Sequence, residues 1–270
     1  MVKVTKRVIS AIIMVLLFVP FLVVGGVPFT VLMAFLGILG LYELLKIRGD
    51  VKKKIPVGLR IIAYFLVVFL IVNNIGTIDL QYDLDYRLVS VIIFLFLTPM
   101  VFINNSKKYN LNDALFLVGS VVFIGLSFNL LSVIRNFNIA YIIYLLLITT
   151  MTDTFALFTG MLVGRHKLAP DISPKKTIEG AIGGSLMGTI IATAFYVTVI
   201  SSSVPLVFVA LITAALTVVG QIGDLAFSAI KRYYGQKDFS DLIPGHGGIL
   251  DRFDSLVFVV LAFILVLGII

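Results

Sequence analysis

The chain has 270 residues, of which 60% are hydrophobic and 13% charged, with a net charge of +7 and a mean hydropathy of +1.14. A soluble globular domain carries about 25% charged residues, so lipid is the natural solvent for a chain this apolar, and no separate soluble core is left room. There is no cysteine and there are two histidines, His166 and His246, which excludes disulfides, thiolate nucleophiles, cysteine zinc sites and an all-histidine metal site.

A hydrocarbon core about 30 Å thick takes about 20 apolar helical residues. Nine segments qualify, at roughly 8–25, 27–46, 58–75, 88–105, 113–134, 138–164, 180–200, 205–230 and 252–270. Lys3, Lys6 and Arg7 before the first resemble a signal peptide, but the apolar run is long and no small-residue cleavage site follows, so it reads as a retained span. Gly25, Gly26 and Pro28 predict a tight turn after it. Ser201, Ser202 and Ser203 before Pro205 predict a short loop between the seventh and eighth. Spanning segments must be helices, because lipid satisfies no backbone group. The short alternating segments of a β-barrel are missing. The prediction is an all-α polytopic membrane protein, one transmembrane domain over residues 1–270, with N-terminal helices in 1–137 and the chemical motifs in 138–270.

Loop charge orients it. With the N-terminus cytoplasmic, all of the 21 Lys and Arg except Arg87 and Arg135 fall on the cytoplasmic side, as the positive-inside rule requires. The loop 76–87, with Asp79, Asp83 and Asp85, is then external, and so is the C-terminus. The basic charge therefore faces anionic lipid rather than nucleic acid, and Lys52, Lys53 and Lys54 read as a surface anchor. Glu43, near the end of the second span, reads as interfacial. Gly160 and Gly164 in the sixth span, with Gly180, Gly183, Gly184, Ser185 and Gly188 in the seventh, read as close helix packing. No internal repeat supports an inverted-repeat transporter.

The chemistry gathers in the last two cytoplasmic loops. Asp224, Ser228 and Lys231 stand at i, i+4 and i+7, on one helix face. Asp224 lies about two turns inside its span, where a carboxylate is costly unless paired or metal-bound. Asp251 and Asp254 share a face at the start of the ninth span. Three carboxylates at two helix ends suit a hard cation, and Mg2+ usually takes one or two carboxylates together with substrate phosphates. Lys231, Arg232, Lys237 and Arg252 supply opposite charge, and Gly245, His246, Gly247 and Gly248 allow backbone amides to converge on an anion. The plainer account, in which Asp251 caps a helix and the bases are ordinary loop charge, leaves Asp224 and the proline–glycine–histidine loop unexplained. Upstream, Ser173, Lys175, Lys176 and Thr177 form a compact set of phosphate donors. Asp153, midway along the sixth span, is a functional candidate whose alternative is a structural hydrogen bond to another helix.

These residues resemble the signature of the phosphatidate cytidylyltransferase (CDP-diacylglycerol synthase) family. The signature runs Ser228, Lys231–Arg232, Lys237–Asp238, Pro244 through Gly248, Asp251–Arg252 and Asp254, all in order. Ser173–Pro174–Lys175–Lys176–Thr177 with Glu179–Gly180, and Asp153 ahead of Gly160, are similar to the family too. Many members carry an acid directly before the signature serine; here the residue is Phe227. The resemblance implies that CTP and phosphatidate give CDP-diacylglycerol and pyrophosphate with Mg2+, a second cation being left open. It implies Asp224, Asp251 and Asp254 as metal ligands, with Ser228 and Lys231 in the catalytic set. It gives Lys231, Arg232 and Lys237 to CTP or pyrophosphate, and Asp238, His246, Gly247, Gly248 and Arg252 to substrate binding. Ser173, Lys175, Lys176 and Thr177, with Asp153, go to substrate, the first three at the lipid head group. It also implies an active site on the cytoplasmic face of the cell membrane, where CTP is. Rival readings are a CTP-dependent enzyme for another lipid phosphate, an ion-coupled transporter using Asp153 and Asp224, and a CDP-alcohol phosphotransferase, whose aspartate-rich helical motif is missing. A homodimer rests on the general prevalence of two-fold assemblies.

Overall fold

A computed structural model describes residues 2–52, 54–73, 86–103 and 108–267, with side chains from Ile9 onward. Lys53, Lys107 and the loop acids Asp79, Asp83 and Asp85 lie outside the described residues, as do the side chains of Lys3, Lys6 and Arg7. Among the described residues the regular structure is helical apart from one two-stranded hairpin and an isolated bridge between Ile243 and Gly247. Five helices or helical runs, Gly26–Val51, Leu111–Phe137, Ile139–Val163, Ile178–Ile200 and Leu206–Tyr233, are long and apolar enough to cross a membrane. Many of their large apolar side chains, among them Phe35, Leu162, Ile182 and Val207, are exposed, as on a lipid-facing surface. The protein is an all-α membrane protein.

The chain forms two compact units, residues 1–137 with 238–249, and 138–237 with 250–270. The first holds α1 (Val2–Val24), α2 (Gly26–Val51), α3 (Val57–Val72), α4 (Tyr86–Leu97), α5 (Pro99–Phe102) and α6 (Leu111–Phe137). The fourth apolar segment is thus two helices. Pro99 has no N–H to continue the α4 ladder, so the helix stops and restarts at Thr98. Helices α2, α3 and α6 pack together around Met33, Leu41, Val67, Ile71, Leu117 and Ile124, each fully buried.

Two arginines in this unit hold the fold together. Arg48, read from the sequence as loop charge, is buried in an ion pair with Asp113 and lies 5.0 Å from the Phe116 ring centroid. The helix α2 runs five residues past its apolar stretch, and that extension carries Arg48 inward against α6. Asp113 also accepts from the Asn110 amide at 3.0 Å, while the Asn110 side chain accepts from the Asp113 amide at 3.1 Å. This reciprocal pair closes the first turn of α6 in the manner of a capping box. Arg135 donates to the carbonyls of Leu22 and Val23, both at 2.7 Å, satisfying carbonyls that the end of α1 leaves without intrahelical partners.

The second unit holds α7 (Ile139–Val163), the hairpin β1 (Lys167–Ala169) and β2 (Ser173–Thr177), then α8 (Ile178–Phe195), α9 (Leu206–Tyr233) and α10 (Leu250–Val266). A π-helical turn, Tyr196–Ile200, ends α8 and buries Tyr196 edge-on against Tyr144, 5.3 Å between centroids. The glycine stripe packs as predicted. A Cβ on Gly184 would meet the Thr152 carbonyl at 2.5 Å and the Ala156 Cβ at 2.7 Å, and one on Gly180 the Gly160 Cα at 3.2 Å. Backbone-to-backbone approach of α7 and α8 thus depends on these small residues.

Candidate active site

Within the loop after α7, residues 167–177 form the hairpin. Strands β1 and β2 pair antiparallel, Lys167 with Thr177 and Ala169 with Ser173. Glu179 anchors its base, accepting from the amides of Arg165 (3.0 Å) and His166 (3.2 Å) and pairing with His166 Nδ1 at 2.6 Å. Arg232 anchors its tip, with Nε donating to the Ile172 carbonyl at 3.2 Å and a terminal nitrogen to the Gln236 carbonyl at 3.0 Å. Successive strand residues point to opposite faces, so Lys175 is exposed while Lys176 turns inward. Lys176 Nζ reaches Asp224 at 2.5 Å. Ser173 is half-buried on the hairpin. Thr177, predicted as a phosphate donor, is the N-cap of α8: its hydroxyl accepts from the Gly180 amide at 3.1 Å. A threonine just before an apolar helical run was the sequence signal for that cap.

Helix α9 presents Asp224, Ser228 and Lys231 along one face, as their spacing predicts. Ser228 Oγ donates to Asp224 at 3.3 Å, and Lys231 Nζ donates to Asp251 of α10 at 2.7 Å with both side chains buried. Helix α10 comes this close because α9 has no side chain at Gly223. A Cβ there would meet the Asp254 carbonyl oxygen at 2.9 Å and the Phe258 Cβ at 2.7 Å. Gly223 immediately precedes Asp224, so the close approach also seats Asp224 beside Asp254. Phe227, standing where many relatives of the signature carry an acid, is buried with its ring edge-on to Phe258, 6.1 Å between centroids.

Asp153 of α7 completes a trio of acids. It interacts electrostatically with Asp224 and with Lys176, and Asp254 interacts with Asp224, Lys231 and Asp153. Asp254 also accepts from the Ser255 amide at 2.8 Å. Three carboxylates from three helices, answered by Lys176 and Lys231, form a strongly polar patch on helices otherwise apolar. The sequence placed Asp251 in this trio; in the structure Asp251 carries the ion pair with Lys231, and Asp153 stands with Asp224 and Asp254. Among the described residues no group of three or more His, Asp or Glu side chains could hold a metal ion alone. The donor set still fits Mg2+, a hard ion that takes one or two carboxylates and completes its shell with water and substrate phosphate. Arg252 and Lys237 are exposed.

The proline–glycine–histidine loop belongs to the first unit. It closes on itself through the Ile243 amide to the Gly247 carbonyl (2.8 Å) and the His246 amide to the Ile243 carbonyl (2.9 Å). Gly245 and Gly247 take φ of 78° and 83°, a region that favours glycine. His246 Nδ1 lies 2.7 Å from Ser10 Oγ, which also donates to the Pro244 carbonyl at 3.0 Å. Ser10 has one proton and gives it to that carbonyl, so His246 Nδ1 is the donor in the other bond. Asp238 is exposed. Sequence reasoning missed Glu43 here. Read from the sequence as interfacial, it is fully buried within the protein and accepts from Ser240 Oγ at 2.6 Å and from the Ile249 amide at 2.8 Å.

Comparison with known proteins agrees with the geometry. The profile of the cytidylyltransferase family matches residues 5–270. The chain is similar to the phosphatidate cytidylyltransferase of Bacillus subtilis (strain 168), 34% identical over 264 residues, covering 96% of each chain. It is likewise similar to the phosphatidate cytidylyltransferases of Staphylococcus haemolyticus (strain JCSC1435) and Staphylococcus aureus (strain COL), each 35% identical over 253 residues, covering 94% of this chain and 95% of the relative.

Proposed function

Because this chain belongs to the cytidylyltransferase family, we infer that it transfers the cytidylyl group of CTP to phosphatidate, giving CDP-diacylglycerol and pyrophosphate. The carboxylates of Asp153, Asp224 and Asp254, gathered beside Lys176 and Lys231, carry this reading, since phosphoryl transfer is catalysed chiefly by positioning and electrostatics. A phosphate oxygen of phosphatidate attacks the α-phosphorus of CTP. The bond from that phosphorus to the α,β-bridging oxygen breaks, and its electron pair leaves with pyrophosphate. The phosphatidate monoester is largely dianionic at neutral pH, its second pKa being about 6, so the nucleophile needs no base.

Asp224 and Asp254 are the proposed Mg2+ ligands, with Asp153 beside them. Bound Mg2+ would offset the charge of the triphosphate. Lys176 holds Asp224 in place and, at the inner face of the hairpin, is the lysine offered to the lipid phosphate, with Ser173 and Lys175 nearby in sequence. Lys231 positions Asp251 at the start of α10. Each of the nine apolar segments carries helix over most of its described residues, and we propose that each spans the membrane, with the N-terminus and the motif-bearing loops cytoplasmic. That placement gives the site access to CTP while the acyl chains stay in lipid.

The test is turnover by the purified protein of CTP labelled at the α-phosphate, with phosphatidate and Mg2+. Label in a chloroform-soluble product with equimolar pyrophosphate is expected. Label transfer to a different lipid phosphate but not to phosphatidate would overturn the substrate assignment.

A further inference from the structure

We propose that Glu43 is a positioning residue for the signature loop: from α2, its buried carboxylate grips both ends of the segment 240–249 and fixes the shape in which that loop meets substrate. The inference rests on the functional reading only for what the loop does. How the loop is held stands on geometry within the first unit.

Glu43 Oε1 accepts from the Ser240 hydroxyl at 2.6 Å and from the Ile249 amide at 2.8 Å. These donors lie nine residues apart and bracket Pro244 through Gly248. One oxygen therefore staples the loop where it begins and where it ends. Hydrogen bonds to an ionised acceptor are shorter and roughly twice as strong as neutral ones. The Ser240 hydroxyl is in turn an acceptor for the Leu242 amide at 3.2 Å, so the grip passes into the first turn of the loop.

Gly248 gives independent support. It is buried, and a Cβ built on it falls among the three atoms of the Glu43 carboxyl group. A side chain at this position would displace the Glu43 carboxyl group. Ser10 of α1 adds a third attachment through the Pro244 carbonyl and His246. Helices α1 and α2, otherwise without a chemical task, set the conformation of a motif some 200 residues further along the chain, as the separations of 197 and 206 residues from Glu43 show.

The experiment compares the full-length protein with Glu43→Ala, Glu43→Gln, Gly248→Ala and the Glu43→Ala/Gly248→Ala double variant. Hydrogen–deuterium exchange reads the loop without reference to activity. In Glu43→Ala the Ile249 amide should exchange about tenfold faster or more, the loss of one charge-assisted hydrogen bond, with peptides of α6 unchanged. Unaltered exchange over 240–249 overturns the proposal. Steady-state kinetics then separate positioning from folding. Glu43→Ala should raise KM for CTP and lower kcat, together about 30-fold or more in kcat/KM, with KM for phosphatidate little changed. Glu43→Gln should recover part of this, because its amide oxygen has two lone pairs and can still accept both bonds, while its NH2 replaces the second carboxylate oxygen. Gly248→Ala should be damaging beside Glu43 and add little beside Ala at that position. Unchanged kinetics in Glu43→Ala, or independent additive losses in the double variant, would overturn the positioning role. Failure of the unaltered protein to turn over CTP would instead fall on the functional reading, leaving the exchange result to decide the staple.

Discussion

The two units differ in how far they enclose the acids on their helices. In the first, Glu43 and Asp113 are each met by donors arranged around them: a hydroxyl and an amide for Glu43, an arginine and an amide for Asp113. In the second, Asp251 is likewise buried and paired, with Lys231, whereas Asp153 is exposed and Asp224 and Asp254 are half-buried, electrostatically coupled to one another, with Lys176 on Asp224. An acid answered by its own surroundings is a structural fastening. Acids left partly open and coupled to one another hold negative charge that a cation can use. Burial of a carboxylate in a membrane helix therefore does not by itself mark chemistry; the character of its neighbours does.

Breaking the crowded set should have the largest effect. Asp254→Asn or Asp224→Asn should lower turnover by roughly 10³-fold, at the upper end of what one electrostatic stabiliser contributes, with helical content by circular dichroism unchanged. More than a tenth of the original activity would remove that residue from the reacting set. Breaking a fastening should act on stability instead. Arg48→Met leaves Asp113 buried without its partner, and removing one member of a buried pair costs about 3–5 kcal/mol. A lower unfolding midpoint in denaturing detergent is expected, with kcat of the folded fraction nearly unchanged.

A smaller effect sharpens the contrast. Lys176→Ala should raise KM for phosphatidate about tenfold, equivalent to about 1.4 kcal/mol, and KM for CTP less, measured with one substrate saturating. Equal effects on both would place Lys176 at the acids alone rather than at the lipid phosphate. Smallest is Thr177→Ala, which removes the N-cap of α8 and should cost about 1 kcal/mol of stability. Thr177→Ser keeps the hydroxyl and should restore it.

Hydropathy located the helices because each apolar run must be satisfied within itself. It set their ends less well. Helix α2 continues to Val51 and α9 to Tyr233, since a helix does not stop where its apolar stretch meets the head groups. The α4–α5 break was legible at Pro99 but hidden inside an apolar run. The hairpin was hidden by its brevity and charge, with strands of three and five residues. At the site, the Asp224–Ser228–Lys231 face was legible because helical spacing is local. Asp153 was visible as an intramembrane acid, but its meeting with Asp224 and Asp254 depends on helix packing made possible by Gly184 and Gly223. Glu43 could not be read at all, because no spacing rule links α2 to residues 240–249. Arg48 misled for the same reason: counting loop charges says on which side a base lies, not whether a buried acid awaits it.

The difference between the two kinds of acid can be measured through Mn2+ as a paramagnetic substitute for Mg2+. Electron paramagnetic resonance of the purified protein with Mn2+ and CTP should show bound Mn2+. That signal should be lost in Asp224→Asn and Asp254→Asn and kept in Arg48→Met, whose acid is a fastening. Binding of Mn2+ by Asp224→Asn and Asp254→Asn as tightly as by the unaltered protein would contradict the assignment of cation binding to the crowded acids of the second unit.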